Sequence, residues 1–177
     1  SSPAQVPYVL KVLEPEEDLE VVRQETLVAV EEALVKLVKM REIEGQKLES
    51  DLVQRLELLA DLNNKVAERS PLVVSQYKEK LQSRIQELLD GGQVDEARLA
   101  MEVAIFADRA CIAEEIVRIN SHLDQFRHIL QEDRPIGRKL DFLLQELNRE
   151  VNTIGSKAND LEITQLVVEM KSELEKL

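Results

Sequence analysis

Glu146 and Glu150 lie one helical turn apart within Gly137 to Lys157 (GRKLDFLLQELNREVNTIGSK). Such a like-charge pair costs about 0.2 to 0.5 kcal/mol unless a cation or an arginine lies between them. Arg149 completes their row, and beside it Arg138, Asp141, Gln145, Asn148 and Asn152 follow one another at three- and four-residue steps. Asn and Asp are poor helix formers because their side chains compete for backbone hydrogen bonds, so their use here marks a polar face with a function. Upstream, Cys111, Glu115, Arg118, His122 and Gln125 recur at steps of four, three, four and three, with Glu114 one turn from Arg118. Carboxylate, guanidinium and imidazole on one face can hold a hydrated divalent cation and a phosphate: hard cations take carboxylate oxygen, and arginine offers a planar fork to phosphate. The plainer account of the same row is a Glu114–Arg118 salt bridge beside a hydrogen-bonded histidine.

These residues need helices to position them, and the pattern predicts an all-α chain: a long antiparallel helical hairpin arm followed by a helical bundle that carries the polar helices. Leu140, Leu143, Leu144, Leu147, Val151 and Ile154 give the Gly137–Lys157 helix a core-facing stripe. A preceding helix is expected from Asp95 to Gln131, with Ile105, Ile112, Ile116, Ile119, Leu123, Phe126 and Leu130 inside, and Pro135 separates the two. Thr153 to Asp160 turns the chain, with Gly155-Ser156-Lys157 as a weak candidate for a phosphate-contacting turn. Ile163, Leu166, Val167, Met170, Leu174 and Leu177 then line a last helix.

At the other end, Pro15 and the acidic Glu16, Glu17 and Asp18 suit a helix start. Leu27, Val30, Leu34 and Leu37 form a stripe that resumes at Leu48, Leu52, Leu56, Leu59 and Val66, interrupted by Arg41, Glu44 and Gly45. A helix of about 50 residues would reach about 75 Å, so it is expected to project or to pack between subunits. Ser70-Pro71 reads as an N-cap followed by a first helical residue, and Gly91-Gly92 as the stop of the second hairpin helix. Leu72, Tyr77, Leu81, Ile85, Leu88 and Leu89 line one face of that helix, while Lys78, Lys80 and Arg84 read as a solvated face.

Composition limits the function classes. With 44% hydrophobic and 33% charged residues the chain is suited to folding rather than disorder. A net charge of −12 counts against a surface coated to attract nucleic acid, so any such contact must be local. Five aromatic residues count against recognition of single strands by stacking. The one cysteine, Cys111, cannot form an intrachain disulfide, the longest apolar run is far short of a membrane span, and no signal peptide is visible. A cytoplasmic protein is expected.

GRKLDFLLQELNRE with NTIGSK, together with MREIEGQKL (Met40 to Leu48) and EEIVRINSHLDQF (Glu114 to Phe126), resembles the YicC/YloC family of bacterial proteins, described as metal-dependent endoribonucleases and as hexameric. The resemblance implies that residues 1–15 are a linker from an absent N-terminal domain, 16–91 the helical arm and 92–177 the C-terminal signature domain. It also implies a divalent cation (Mg or Mn), RNA as partner, a symmetric homo-oligomer, and neither a membrane nor an organic cofactor. With no P-loop, no cysteine cluster, and His122 and His128 too close in sequence to oppose one another, metal-assisted hydrolysis of phosphodiester bonds in hairpin RNA is the expected reaction. Glu115, His122, Glu146 and Glu150 are the candidate catalytic groups, with Glu44, Glu115, Glu146 and Glu150 as metal ligands. Arg41, Arg118, Arg138, Lys139, Arg149 and Lys157 are the candidate RNA contacts, and residues 134 to 157 carry a local charge of +2. Where the family has an Asp, this chain has Cys111, a poor ligand for Mg²⁺. That departure weakens the site if the Asp is a ligand and is harmless if the Asp only caps a helix or pairs with an Arg. An RNA-binding adaptor and a helical oligomeric scaffold are the competing readings.

Overall fold

The computed structural model describes residues 18–89 and 94–177, which form five α-helices and no strand. They are α1 (Leu19–Leu88), α2 (Glu96–Arg109), α3 (Ala113–Leu130), α4 (Gly137–Lys157) and α5 (Leu161–Leu174). The expected linker, the helix start at Pro15 and the Gly91-Gly92 stop lie outside the described residues. The all-α expectation holds. α1 runs through the boundary between two compact units, one ending at Gln46 and the other spanning Lys47–Leu177.

In the first unit every described residue is exposed. Leu27, Val30, Leu34 and Leu37 are each about half exposed, so this stretch has no apolar partner within its unit. Its helicity rests on local terms: the Arg23–Glu20 and Lys36–Glu32 pairs at helical spacing, and the Thr26 hydroxyl donating to the Val22 carbonyl.

In the second unit the stripe on α1 goes inside from Leu52 onward. Leu56, Leu59, Leu62 and Val66 meet Ile119, Leu123 and Phe126 of α3, Leu143, Leu147, Val151 and Ile154 of α4, and Ile163, Val167, Met170 and Leu174 of α5. Burying one such side chain stabilises by roughly 1.5 to 3 kcal/mol. One polar residue enters this core. Asn63, fully buried, donates through Nδ2 to the Ile116 carbonyl at 3.0 Å and to Asn120 Oδ1 at 2.9 Å, fixing α1 against α3. α5 runs antiparallel to α1, clamped by Arg55 on Glu173 at 3.1 Å and by Arg69 on Asp160 at 2.7 Å.

Three local expectations are corrected. Ser70-Pro71 does not start a helix: α1 continues through Pro71, so there is no hairpin break at that point. A mid-helix proline forgoes one hydrogen bond and strains the preceding turn, but Val66 and Val73 are buried in the same core on either side of it and hold the axis. The single helix expected from Asp95 to Gln131 is two helices. Asp95 caps α2 through its carboxylate as expected, but the chain breaks after Arg109 because Ile112 turns inward, 1% exposed, and serves as the residue preceding α3. Finally, Gly155-Ser156-Lys157 is the last turn of α4 rather than a phosphate-contacting turn. Gly155 is there for packing: a Cβ on it would meet Val167 Cγ1 at 3.1 Å, so glycine lets α5 approach α4 closely.

Candidate active site

α3 and α4 pack antiparallel, so positions rising along one meet positions falling along the other. Their contacting faces would be apolar throughout if packing were their only role. Instead, Glu115 faces Lys157, Arg118 faces Glu150, and His122 faces Glu146 and Glu150. The spacings of three and four residues seen in the sequence place each set on one edge of its helix. The antiparallel register then joins the two edges into one polar seam.

Lys157 Nζ donates to Glu115 Oε1 at 2.8 Å at one end of the seam. Burial pushes the Glu115 carboxyl up, yet the hydrogen bond from Lys157, its own backbone N–H and the charges of Lys157 and Arg118 outweigh that and hold it below the ordinary glutamate range. The same hydrogen bond to Glu115 raises the Lys157 ammonium against a smaller opposing effect of burial, with help from the nearby Cys111 and Glu114. Both groups are charged at neutral pH. Next along, Arg118 donates through Nη1 to Glu150 Oε1 at 3.3 Å and through Nη2 to Glu114. The Glu114–Arg118 salt bridge is therefore present, and it accompanies the seam rather than replacing it.

The far end gathers the ligand-type atoms. His122, Glu146 and Glu150 each bring one ligand-type atom to a common point, all within 4.8 Å of one another. Glu150 is 4% exposed and the other two are half-buried. Two carboxylates in one buried turn repel each other, and Arg118, itself largely exposed, offers Glu150 one long hydrogen bond. His122 Nδ1 is buried with no partner, which is costly for a polar atom. One imidazole nitrogen with two carboxylates is a donor set suited to a divalent cation such as Mn²⁺ or Mg²⁺. The residues present fit a metal.

The other expected site residues fall elsewhere. Glu115 stands outside the three-residue group, its Oε1 taken by Lys157 and its buried Oε2 without a partner. Glu44 and Arg41 lie in the first unit, exposed. Lys139 binds Glu132 at 2.7 Å and, with Arg134 at 2.6 Å, pulls that carboxyl down to about 2. This clamp staples the α3–α4 connection. Arg138 and Arg149 are exposed and, among the described residues, free of ion pairs. Arg149 lines an open groove along α4 with Gln145, Asn148, Asn152, Thr153 and Ser156, the polar face singled out from sequence. Cys111 is exposed in the α2–α3 break, close enough to Lys157 to affect it and outside the metal-type group.

A family model described as Endoribonuclease YicC-like, C-terminal matches residues 66–177, a stretch that includes the whole seam. The chain belongs to the YicC-like endoribonuclease family. It is 51% identical over 175 residues to the Probable endoribonuclease YicC of Clostridioides difficile strain 630, covering 98% of this chain and 60% of that protein. It is 36% identical over 162 residues to the Probable endoribonuclease YicC of Haemophilus influenzae, covering 92% and 56%. The chain thus spans about three fifths of the length of these YicC relatives. Within the YicC-like match, His122, Glu146 and Glu150 are brought together by the α3–α4 register, which no linear motif displays. The sequence placed His122 among the proton-handling groups, and its pairing with two carboxylates became legible only through packing.

Proposed function

We propose that this chain carries the catalytic centre of a divalent-metal-dependent endoribonuclease that cleaves structured RNA, working in the cytoplasm as a symmetric oligomer. The observation that carries the reading is the convergence of His122, Glu146 and Glu150 on a buried polar seam inside the part that matches the family. A divalent cation bound there would lower the pKa of a water and offset charge on the scissile phosphate.

The chain's own residues divide the remaining work. Glu146 and Glu150 present carboxylate oxygens one turn apart, and His122 adds an imidazole nitrogen from the facing helix. Arg118 neutralises Glu150 from the solvent side and can turn its guanidinium towards a phosphate once that carboxylate is otherwise engaged. Arg138 and Arg149, free of ion pairs among the described residues, supply phosphate contacts beside the seam. The amides of Gln145, Asn148 and Asn152 offer neutral hydrogen bonds to sugar and phosphate, as suits a partner recognised by shape. Lys157 and Glu115 position the end of α4 on the start of α3. Leu27, Val30, Leu34 and Leu37, half exposed in the first unit, support assembly through the arm, where Arg41 and Glu44 also lie.

The test is incubation of a labelled hairpin RNA with the chain in Mn²⁺, in Mg²⁺ and in chelator, beside Glu150→Gln. Cutting that needs metal and is lost in the variant is expected. RNA that is bound but left intact in every condition would overturn the assignment in favour of an adaptor.

A further inference from the structure

Away from the seam, the C-terminal part of α1, α2 and the α4–α5 connection enclose a cleft of about 480 Å³. Its wall includes Tyr77 of α1 and Phe106 of α2, whose rings stack with centroids 3.7 Å apart and planes 7° from parallel. Two of the chain's five aromatic residues therefore meet at one surface cleft, although composition alone argued against stacking. Lys80 and Arg84 line the same cleft one helical turn apart, and among the described residues neither pairs with a carboxylate. The one carboxylate in the lining, Asp160, is held by Arg69 at 2.7 Å. Positive charge is thus in excess at this point of a chain whose net charge is −12. Gln76 and Asn159 complete the polar lining. Gln76 Oε1 already accepts from Arg69 Nη2 at 2.9 Å, which leaves its NH₂ group for a ligand.

We infer that this cleft binds a nucleotide, its base against the Tyr77–Phe106 stack and its phosphate between Lys80 and Arg84. An aromatic platform accepts the face of any base, two free cations at i and i+4 accept a phosphate, and the Gln76 and Asn159 amides meet the base edge. An acidic peptide would use the cations but not the stack, and an apolar ligand would leave the cations unused. The nucleotide comes either from solution or from an unpaired stretch of an RNA strand.

Calorimetric titration of the chain in chelator separates these sources. The probes are AMP, adenosine, inorganic phosphate and a 5′-phosphorylated single-stranded RNA oligonucleotide. The variants are Lys80→Gln/Arg84→Gln and Tyr77→Leu, with the exposed Lys65→Gln as control and helicity checked by circular dichroism. AMP is expected to bind more tightly than adenosine or phosphate, and loss of the two cations or of the ring to weaken it about tenfold or more, while Lys65→Gln leaves it unchanged. Binding of the oligonucleotide alone, weakened to the same degree by the cleft variants, would assign the strand as the source. Affinities that the cleft variants leave unchanged, or phosphate bound as tightly as AMP, would overturn the inference. The titrations run in chelator, where no cation occupies the seam, so failure here is distinguishable from failure of the nuclease reading.

Discussion

A cation that binds between His122, Glu146 and Glu150 must stabilise the fold that brings them together. One saturating ligand at a hundred times its dissociation constant adds about 2.7 kcal/mol to the folded state. The Lys47–Leu177 unit holds all three groups, and a unit of roughly 130 residues unfolds with an entropy near 0.27 kcal/mol/K, so saturating Mn²⁺ raises its melting temperature by about 10 °C. Glu150→Gln separates this effect from ordinary packing. The amide keeps the shape, still accepts from Arg118 and removes a like-charge repulsion of about 0.2 to 0.5 kcal/mol. The exposed Arg118 limits the loss from that ion pair to under about 1 kcal/mol. Without metal, the variant should therefore melt within about 4 °C of the parent. Differential scanning calorimetry in chelator and in Mn²⁺, parent beside variant, makes the comparison. A parent that gains nothing from Mn²⁺, or a variant that gains as much as the parent, would refute the assignment of these three side chains to a cation.

Asn63→Ala removes the second hydrogen bond to the Ile116 carbonyl, leaves Asn120 Oδ1 without its Asn63 donor at the α1–α3 contact and opens a void, so urea unfolding should show a loss of about 2 to 4 kcal/mol. Asp160 caps α5 through Ile163 N–H and pairs with Arg69, so Asp160→Ala should cost about 1 to 2 kcal/mol for the cap alone. Arg69 holds the Asp160 carboxyl below its ordinary value, against burial, with the Ile163 N–H assisting. A lowered folded-state pKa means this contribution is fully present above about pH 4 and disappears as pH falls through the lowered value. Acid titration of parent stability should show that loss, and Asp160→Asn should flatten it. Gly155→Val forces a side chain into the 3.1 Å approach to Val167 and should destabilise by about 1 to 3 kcal/mol in thermal or urea unfolding.

Much of the chain was legible where a local pattern repeats. The α4 bounds and its buried stripe, the α5 stripe, the Asp95 cap and the Leu52, Leu56, Leu59 and Val66 stripe of α1 follow from apolar spacing and capping chemistry, whereas spacing did not show that Leu48 of the same stripe stays exposed. These signals reside within a few residues of the atoms they position, which is why they survive in one dimension. The Asn-rich row of α4 was identifiable by its cost to a helix and lines the open groove, while the α3 row from Glu115 to His122 and the Glu146–Glu150 pair meet on the seam.

Local rules failed where distant packing outweighed them. Ser70-Pro71 carries a strong start signal, but Val66 and Val73 in a shared core keep α1 intact across it. The break before α3 carries no glycine or proline and arises because Ile112 is drawn into the interior. Sequence alone determined an all-helical chain, most of its core faces and the pool of groups able to hold a cation. Only the tertiary structure decided that His122 meets Glu146 and Glu150 while Glu115 is taken by Lys157, and that Tyr77 and Phe106 share a cleft with Lys80 and Arg84. Those pairings depend on the register and direction of helices far apart in the chain, and register is set by the summed burial of many side chains, none of which specifies it alone.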